Sequence, residues 1–185
     1  TDQGFELQTS QGDVRCKTLV NATGYFANPF QPRYPGDESS RILRLHASEY
    51  ADPENLRERL GLERPRVLVV GQRLSAGQLL VELQDGGAHV TLSARSPLRF
   101  GRDPRLVERV MPAYYPLLRF YDRLSANHRG NSDHEMQGGR TEELITTGVV
   151  SVRPGIRLLR DESVEFVDGQ RDPFDAVIYA TGYRP

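Results

Sequence analysis

Phe5-Glu6-Leu7-Gln8-Thr9 alternates apolar and polar side chains, the period of a strand with one covered face. Gln11-Gly12-Asp13 supplies a turn, and Val14 through Val20 can return as a second strand. Pro29, Pro32 and Pro35 follow. Proline lacks a backbone N–H and clashes inside helices and central strands, so residues 28–40 are predicted to be an irregular connector. Asp52 and Pro53 open a short helix over 52–60 as N-cap and first helical residue, and Gly61 closes it. Arg66-Val67-Leu68-Val69-Val70 is a continuous apolar run, the pattern of a parallel strand buried on both faces. Over 75–85, Ala76, Leu79, Leu80 and Leu83 share one helical stripe, opposite Ser75, Gln78, Glu82 and Asp85. Gly86-Gly87 ends that helix, and Ala88-His89-Val90-Thr91-Leu92 forms the next strand. The three elements make a βαβ unit, whose crossover is expected to be right-handed.

Residues 103–127 are predicted to be helical, with a break at Pro112 and Pro116. The polar, glycine-rich stretch 128–139 is expected to be a mobile loop. Strands are predicted again at Val149–Val152, Ile156–Leu159, Val164–Val167 and Ala176–Ala180. The fold class expected is α/β: a Rossmann-like parallel sheet with helices on both faces and a small antiparallel meander, three layers in all.

Composition narrows the classes. The chain has 185 residues, 37% of them hydrophobic and 26% charged, which suits one ordinary domain or one domain with a piece of another. Its net charge of −1 excludes bulk attraction to nucleic acid. Lys17 is the sole lysine, so an arginine-rich surface is a compositional habit rather than a motif. A single cysteine, Cys16, excludes an internal disulfide, a CxxC pair and a cysteine-based zinc cluster. No apolar run approaches the roughly 18 residues of a membrane span, and no signal peptide opens the chain. A soluble, cytoplasmic protein without membrane or nucleic-acid partners is expected.

An internal repeat carries more information. Lys17-Thr18-Leu19-Val20-Asn21-Ala22-Thr23-Gly24-Tyr25 aligns with Asp175-Ala176-Val177-Ile178-Tyr179-Ala180-Thr181-Gly182-Tyr183. Each copy follows a β segment and a glycine-containing turn, a duplication at domain scale. A chain opening just before one copy and closing just after the other reads as a piece of a larger protein.

With this repeat and the βαβ unit, the sequence resembles flavin-containing monooxygenases and related two-dinucleotide flavoproteins. In that family an FAD-binding domain is interrupted by an NADPH-binding domain of similar design, and an Ala-Thr-Gly segment marks each crossing. The resemblance implies that Ala22-Thr23-Gly24-Tyr25 is the first crossing and Ala180-Thr181-Gly182-Tyr183 the second. Residues 1–36 would then be the end of the FAD domain with the first connector, 37–180 the NADP-binding domain, and 181–185 the return. The FAD turn would lie upstream of Thr1, so FAD is expected only in the full-length protein, with the missing FAD domain and a small-molecule substrate as partners. The family fingerprint FxGxxxHxxx(F/Y) is half present: His46 and Tyr50 fit its end, while Ser40 and Ile42 stand where Phe and Gly belong.

The resemblance places the pyrophosphate turn at Gly71-Gln72-Arg73-Leu74-Ser75-Ala76, over the N-terminus of helix 75–85. Gly71 makes the tight turn and Ala76 permits close helix–strand packing. Arg73 takes the middle glycine position, where a positive φ would cost roughly 1–2 kcal/mol. Steric obstruction is expected to dominate there, so that Arg73→Gly would tighten dinucleotide binding, although a guanidinium could recover part of the cost on a phosphate. The second strand ends Leu92-Ser93-Ala94-Arg95 without the carboxylate that usually bonds an NAD ribose. Ser93 and Arg95 could instead hold a 2′-phosphate, which favours NADP. The candidate cofactor-binding residues are therefore Gly71, Gln72, Arg73, Leu74, Ser75, Ala76, Ser93 and Arg95. The crossings add Ala22, Thr23, Gly24, Tyr25, Ala180, Thr181 and Gly182.

No catalytic residue and no metal site is assigned. His46 reads as a structural residue of the connector and His89 as a packing residue within its strand; His128 and His134 lie in the polar loop without metal-ligand spacing. Two alternatives stay open. One is a non-enzymatic or degenerate Rossmann-like module that binds a nucleotide or only supports a partner, consistent with Arg73 and the missing FAD motif. The other is a disulfide-reductase relative, which would need a dithiol that Cys16 alone cannot form.

Overall fold

The computed structural model describes residues 4–20, 22, 26–101, 135–136 and 138–184. They fall into two compact units, Thr1–Asn28 with Tyr183–Pro185, and Pro29–Gly182.

In the smaller unit, β1 (Phe5–Thr9) and β2 (Gly12–Cys16) form an antiparallel hairpin, with Phe5 opposite Cys16. The second strand therefore stops at Cys16 rather than running on to Val20. Phe5 is the first residue of β1, so the ladder has no partner left for Lys17. Phe26 and Tyr183 meet edge to face, centroids 5.0 Å apart, and Arg184 N–H donates to Asn28 O.

The larger unit is built on five parallel strands: β3 (Leu43–His46), β4 (Arg66–Val70), β5 (His89–Ser93), β6 (Ser151–Arg153) and β10 (Ala176–Tyr179). Their order is β3-β10-β4-β5-β6. Between β6 and β10 the chain makes an antiparallel meander of β7 (Ile156–Leu159), β8 (Ser163–Phe166) and β9 (Arg171–Pro173). The helices are α1 (Pro53–Leu60), α2 (Leu74–Asp85) and α3 (Arg140–Thr146).

Period-2 alternation along β4 and β10 divides the core into two. Val67, Val69, Ala176 and Ile178 meet Leu56 of α1, Ala76, Leu79, Leu80 and Leu83 of α2, and Leu144 of α3. Leu68, Val70, Val177 and Tyr179 face the other way, against Ile156, Leu159, Val164 and Phe166 of the meander. Each such side chain taken out of water contributes about 1.5–3 kcal/mol before entropy is subtracted. The expected three-layer α/β architecture is thus present, with one correction. Among the described residues all three helices pack on one face and the meander covers the other. The return from β6 to β10 is made by the meander, and it fills that face with its own apolar side chains.

Helix signals behave as local chemistry dictates. Asp52 Oδ1 accepts from Asn55 N–H at 2.8 Å, and Gly61 closes α1 at φ 65°. Strand bounds move by a residue or two: β5 begins at His89, which is exposed rather than packed, and β6 begins at Ser151. Of the loop expected over 128–139, residues 128–134 and 137 lie outside the described residues, and Met136 departs from the expectation. It is buried in the helix-side core and bridges Phe100, because the small face of α2 at Gly77 leaves room for it. The predicted helix over 103–127 and residues His128 and His134 lie outside the described residues.

Candidate functional site

Strand order puts a topological switch at β4. The chain leaves β4 through α2 to β5 on one side, while β10 pairs with β4 on the other. Open α/β sheets bind ligands outside the carboxyl ends of strands at such a point. A cleft of about 530 Å³ opens there, walled by the ends of β4, β5 and β10 and the start of α2.

The β4 wall is the glycine turn. Gly71 N–H donates to Ser93 O at 3.1 Å, which carries the β4–β5 ladder one residue past the strand. A Cβ on Gly71 would stand 2.6 Å from the carbonyl oxygen of Ala180. The glycine is thus required by the close approach of the Ala180 backbone. Arg73, the N-cap of α2, has an extended backbone with φ −115°, and no described non-glycine residue has a positive φ. The strain expected at the middle glycine position is therefore absent: the chain reaches α2 through an ordinary extended residue, and the guanidinium stays exposed on the cleft wall.

Helix α2 differs from α1 at its N-terminus. Arg73 makes no side-chain cap hydrogen bond, and the first turn holds no acidic residue. Its leading N–H groups and the positive end of its dipole are left for an anion. Gln72 and Ser75 line the cleft beside them; Leu74 is exposed outside it, and Ala76 is buried against the sheet.

The β5 wall is Ser93-Ala94-Arg95-Ser96. Ser93 borders the cleft, but it is buried and its hydroxyl donates to Pro154 O at 2.8 Å, so the expected second donor to a phosphate is already committed. Ser96, which the sequence reading passed over, is exposed and donates to Gln72 Oε1 at 3.0 Å across the cleft mouth. Arg95 is exposed, and its charge also acts on Tyr34: burial pushes that phenol up and the Arg95 guanidinium opposes the push. Among the described residues, the cleft lining holds two guanidiniums and no carboxylate.

The β10 wall is Ala180-Thr181-Gly182. Ala180 N–H donates to Val70 O at 2.8 Å, and Gly182 turns the chain away at φ 77°, which a side chain rarely adopts. Gly182 O accepts from Phe30 N–H at 2.9 Å and from His46 Nε2 at 3.0 Å; the Thr181 hydroxyl donates to Phe30 O. Thus Gly71, Gln72, Arg73, Ser75, Ser93, Arg95, Ala180, Thr181 and Gly182 converge. Ala22 is exposed in the smaller unit, and Thr23, Gly24 and Tyr25 lie outside the described residues.

The family model for pyridine nucleotide-disulphide oxidoreductase matches residues 1–185. The chain belongs to this family. Relatives of the chain include flavin-containing monooxygenases. An uncharacterised CzcO-like oxidoreductase of Geobacillus kaustophilus is 26% identical over 98% of this chain and 51% of its own length. Dimethylaniline monooxygenase [N-oxide-forming] 4 of Oryctolagus cuniculus is 30% identical over 96% of this chain and 36% of its own. The solved flavin-containing monooxygenase of Stenotrophomonas maltophilia superposes with a TM-score of 0.69 over 97% of this chain and 47% of its own. At 22% identity that likeness is one of fold. The chain spans about a third to a half of the length of these relatives. These 185 residues carry one cysteine, Cys16, so this stretch forms no dithiol within itself. Among the described residues no helix is long and apolar enough to cross a membrane, and no His, Cys, Asp or Glu group is arranged to hold a metal.

Proposed function

We propose that the cleft binds NADPH and that the chain is the NADPH-binding part of an FAD-dependent, monooxygenase-like oxidoreductase. The observation that carries the reading is the cleft's charge: a helix N-terminus without a cap or carboxylate, flanked by Arg73 and Arg95. The donor set fits a dinucleotide phosphate. The first N–H groups of α2 and Arg73 would take the pyrophosphate. Arg95, with Ser96 in place of Ser93, would take the 2′-phosphate. Ala180-Thr181-Gly182 would border the nicotinamide end. Bound together in the intact protein, NADPH and FAD would supply hydride transfer to the flavin and oxygen activation on it. This chain's residues bind and orient; none is assigned to the chemistry.

The domain reading rests on the repeat. Leu19 and Val20 answer to Val177 and Ile178, yet they are 43% and 82% exposed where their counterparts are fully buried. They have the pattern of a central strand without its neighbours. We assign residues 1–36 to the end of an FAD domain and first connector, 37–180 to the NADP domain, and 181–185 to the return. The oxygenated substrate would bind near the flavin.

Calorimetric titration of the chain with NADPH and NADH tests the reading. NADPH should bind at least tenfold more tightly, and Arg95→Ala should abolish that preference by weakening NADPH alone, since a charge-assisted bond contributes about 1.5–3 kcal/mol. Failure of both dinucleotides to bind at millimolar concentration would favour the non-enzymatic or degenerate Rossmann-like module, with which Arg73 in the middle position is consistent.

A further inference from the structure

We propose that Gly155 is a specificity-determining position of the dinucleotide cleft, because its missing side chain leaves the channel along which Arg95 reaches the rim. The inference rests on the NADPH reading above.

The end of β5 is gripped, residue for residue, by the segment after β6. Ala94 N–H donates to Arg153 O at 3.0 Å, and the Ser93 hydroxyl donates to Pro154 O at 2.8 Å. Gly155 comes next and faces Arg95. A Cβ built on Gly155 would stand 3.2 Å from Arg95 Cγ and 3.7 Å from Cδ, and among the described residues no other atom beyond its chain neighbours lies within 4 Å. The backbone does not itself require glycine, since Gly155 lies outside the positive-φ region. Its carbonyl accepts from Val167 N–H at 2.9 Å, which ties the segment to the meander and keeps it from yielding. The Arg95 stem is therefore what the absent side chain accommodates.

Contact at Cγ matters more than contact at the tip. The position of Cγ is set by χ1, which has staggered wells rather than a continuum. A methyl at 155 asks Arg95 to give by a few tenths of an ångström. A branched side chain asks for another χ1 well, which swings the whole side chain and takes the guanidinium from the rim. Gly155 does not line the cleft, so it is a positioning residue acting through Arg95.

The test is a set of NADPH and NADH dissociation constants for the chain and for Gly155→Ala, Gly155→Val, Arg95→Ala and Arg95→Ala/Gly155→Val. Gly155→Val should weaken NADPH roughly fivefold or more while leaving NADH within about twofold, and Gly155→Ala should do so by less. With Arg95 already truncated, Gly155→Val should have no further effect on NADPH, the non-additivity of two residues acting as one. An unchanged NADPH-to-NADH ratio in Gly155→Val, or equal losses for both cofactors in both Gly155 variants, overturns the inference while the NADPH reading survives. If Arg95→Ala leaves the ratio unchanged, the reading of the rim itself fails.

Discussion

His46 Nε2 lies 3.0 Å from the carbonyl oxygen of Gly182, 136 residues away in the chain. On the other side of the ring, Nδ1 is 3.2 Å from Ser48 N and 2.8 Å from Ser48 Oγ. The Ser48 N–H can only donate, so Nδ1 accepts, the ring proton sits on Nε2, and Nε2 donates to Gly182. Glu49 adds to the knot by accepting from His46 N–H at 2.6 Å and from Gln31 at 2.7 Å. The half-fingerprint histidine thus fastens the β10 wall of the cleft to the end of β3.

His46→Ala should lower unfolding free energy by about 2–4 kcal/mol, from a buried cavity and a lost hydrogen bond. His46→Gln, which can still offer an N–H, should lose less. Urea denaturation gives both values, and faster exchange of the Phe30 amide would locate the damage at the crossing.

Gly71→Ala should destabilise by about 1–3 kcal/mol, the range for overpacking a close contact. The new methyl would meet backbone, Ala180 O at 2.6 Å, which cannot rotate aside. A denaturation midpoint equal to that of the parent chain would show that the Ala180 segment gives way instead.

Arg73→Ala should weaken NADPH and NADH alike, by roughly two- to tenfold for an exposed charge-assisted contact. Both dinucleotides share the pyrophosphate, and the extended backbone at Arg73 stores no strain for the substitution to release. The effect should shrink as salt rises. Tighter binding in the variant would reinstate obstruction as the dominant effect.

Acid should unfold the chain partly through Asp175. Its carboxylate accepts from Arg66 N at 2.7 Å, Nε at 3.1 Å and Nη2 at 2.6 Å, and these bonds hold it below the usual carboxylate range. A depressed carboxylate contributes stability in full above its unfolded pKa, about 3.9, and loses it as pH falls through the lower folded value. Stability should therefore be flat in this contribution near neutrality and decline below about pH 4. Asp175→Asn should start less stable and decline less over the same window, read from urea midpoints between pH 7 and pH 3.

Much of this protein was legible from the sequence alone, for local reasons. The apolar run 66–70, the stripe Ala76-Leu79-Leu80-Leu83 and the Asp52-Pro53…Gly61 signals each depend on a few neighbouring residues, and each lies where the pattern put it. The repeat likewise singled out Ala180-Thr181-Gly182, and that segment forms one wall of the cleft. What tertiary structure alone decided involves partners far apart in the chain. Arg73 could not be known to be extended until the approach of Ala180 to Gly71 had shaped the turn. Ser93 looked like a free donor because Pro154, whose carbonyl oxygen accepts its hydrogen bond, comes 61 residues later. Met136 read as loop because its polar neighbours set the local average, whereas its burial depends on the space at Gly77. Gly155 carried no signal at all: whether a glycine is needed for backbone freedom or for another side chain's path depends on what lies opposite it. Periodicity and capping are encoded within a few turns of chain, but a hydrogen-bond partner or a steric neighbour is settled only when distant strands are brought side by side.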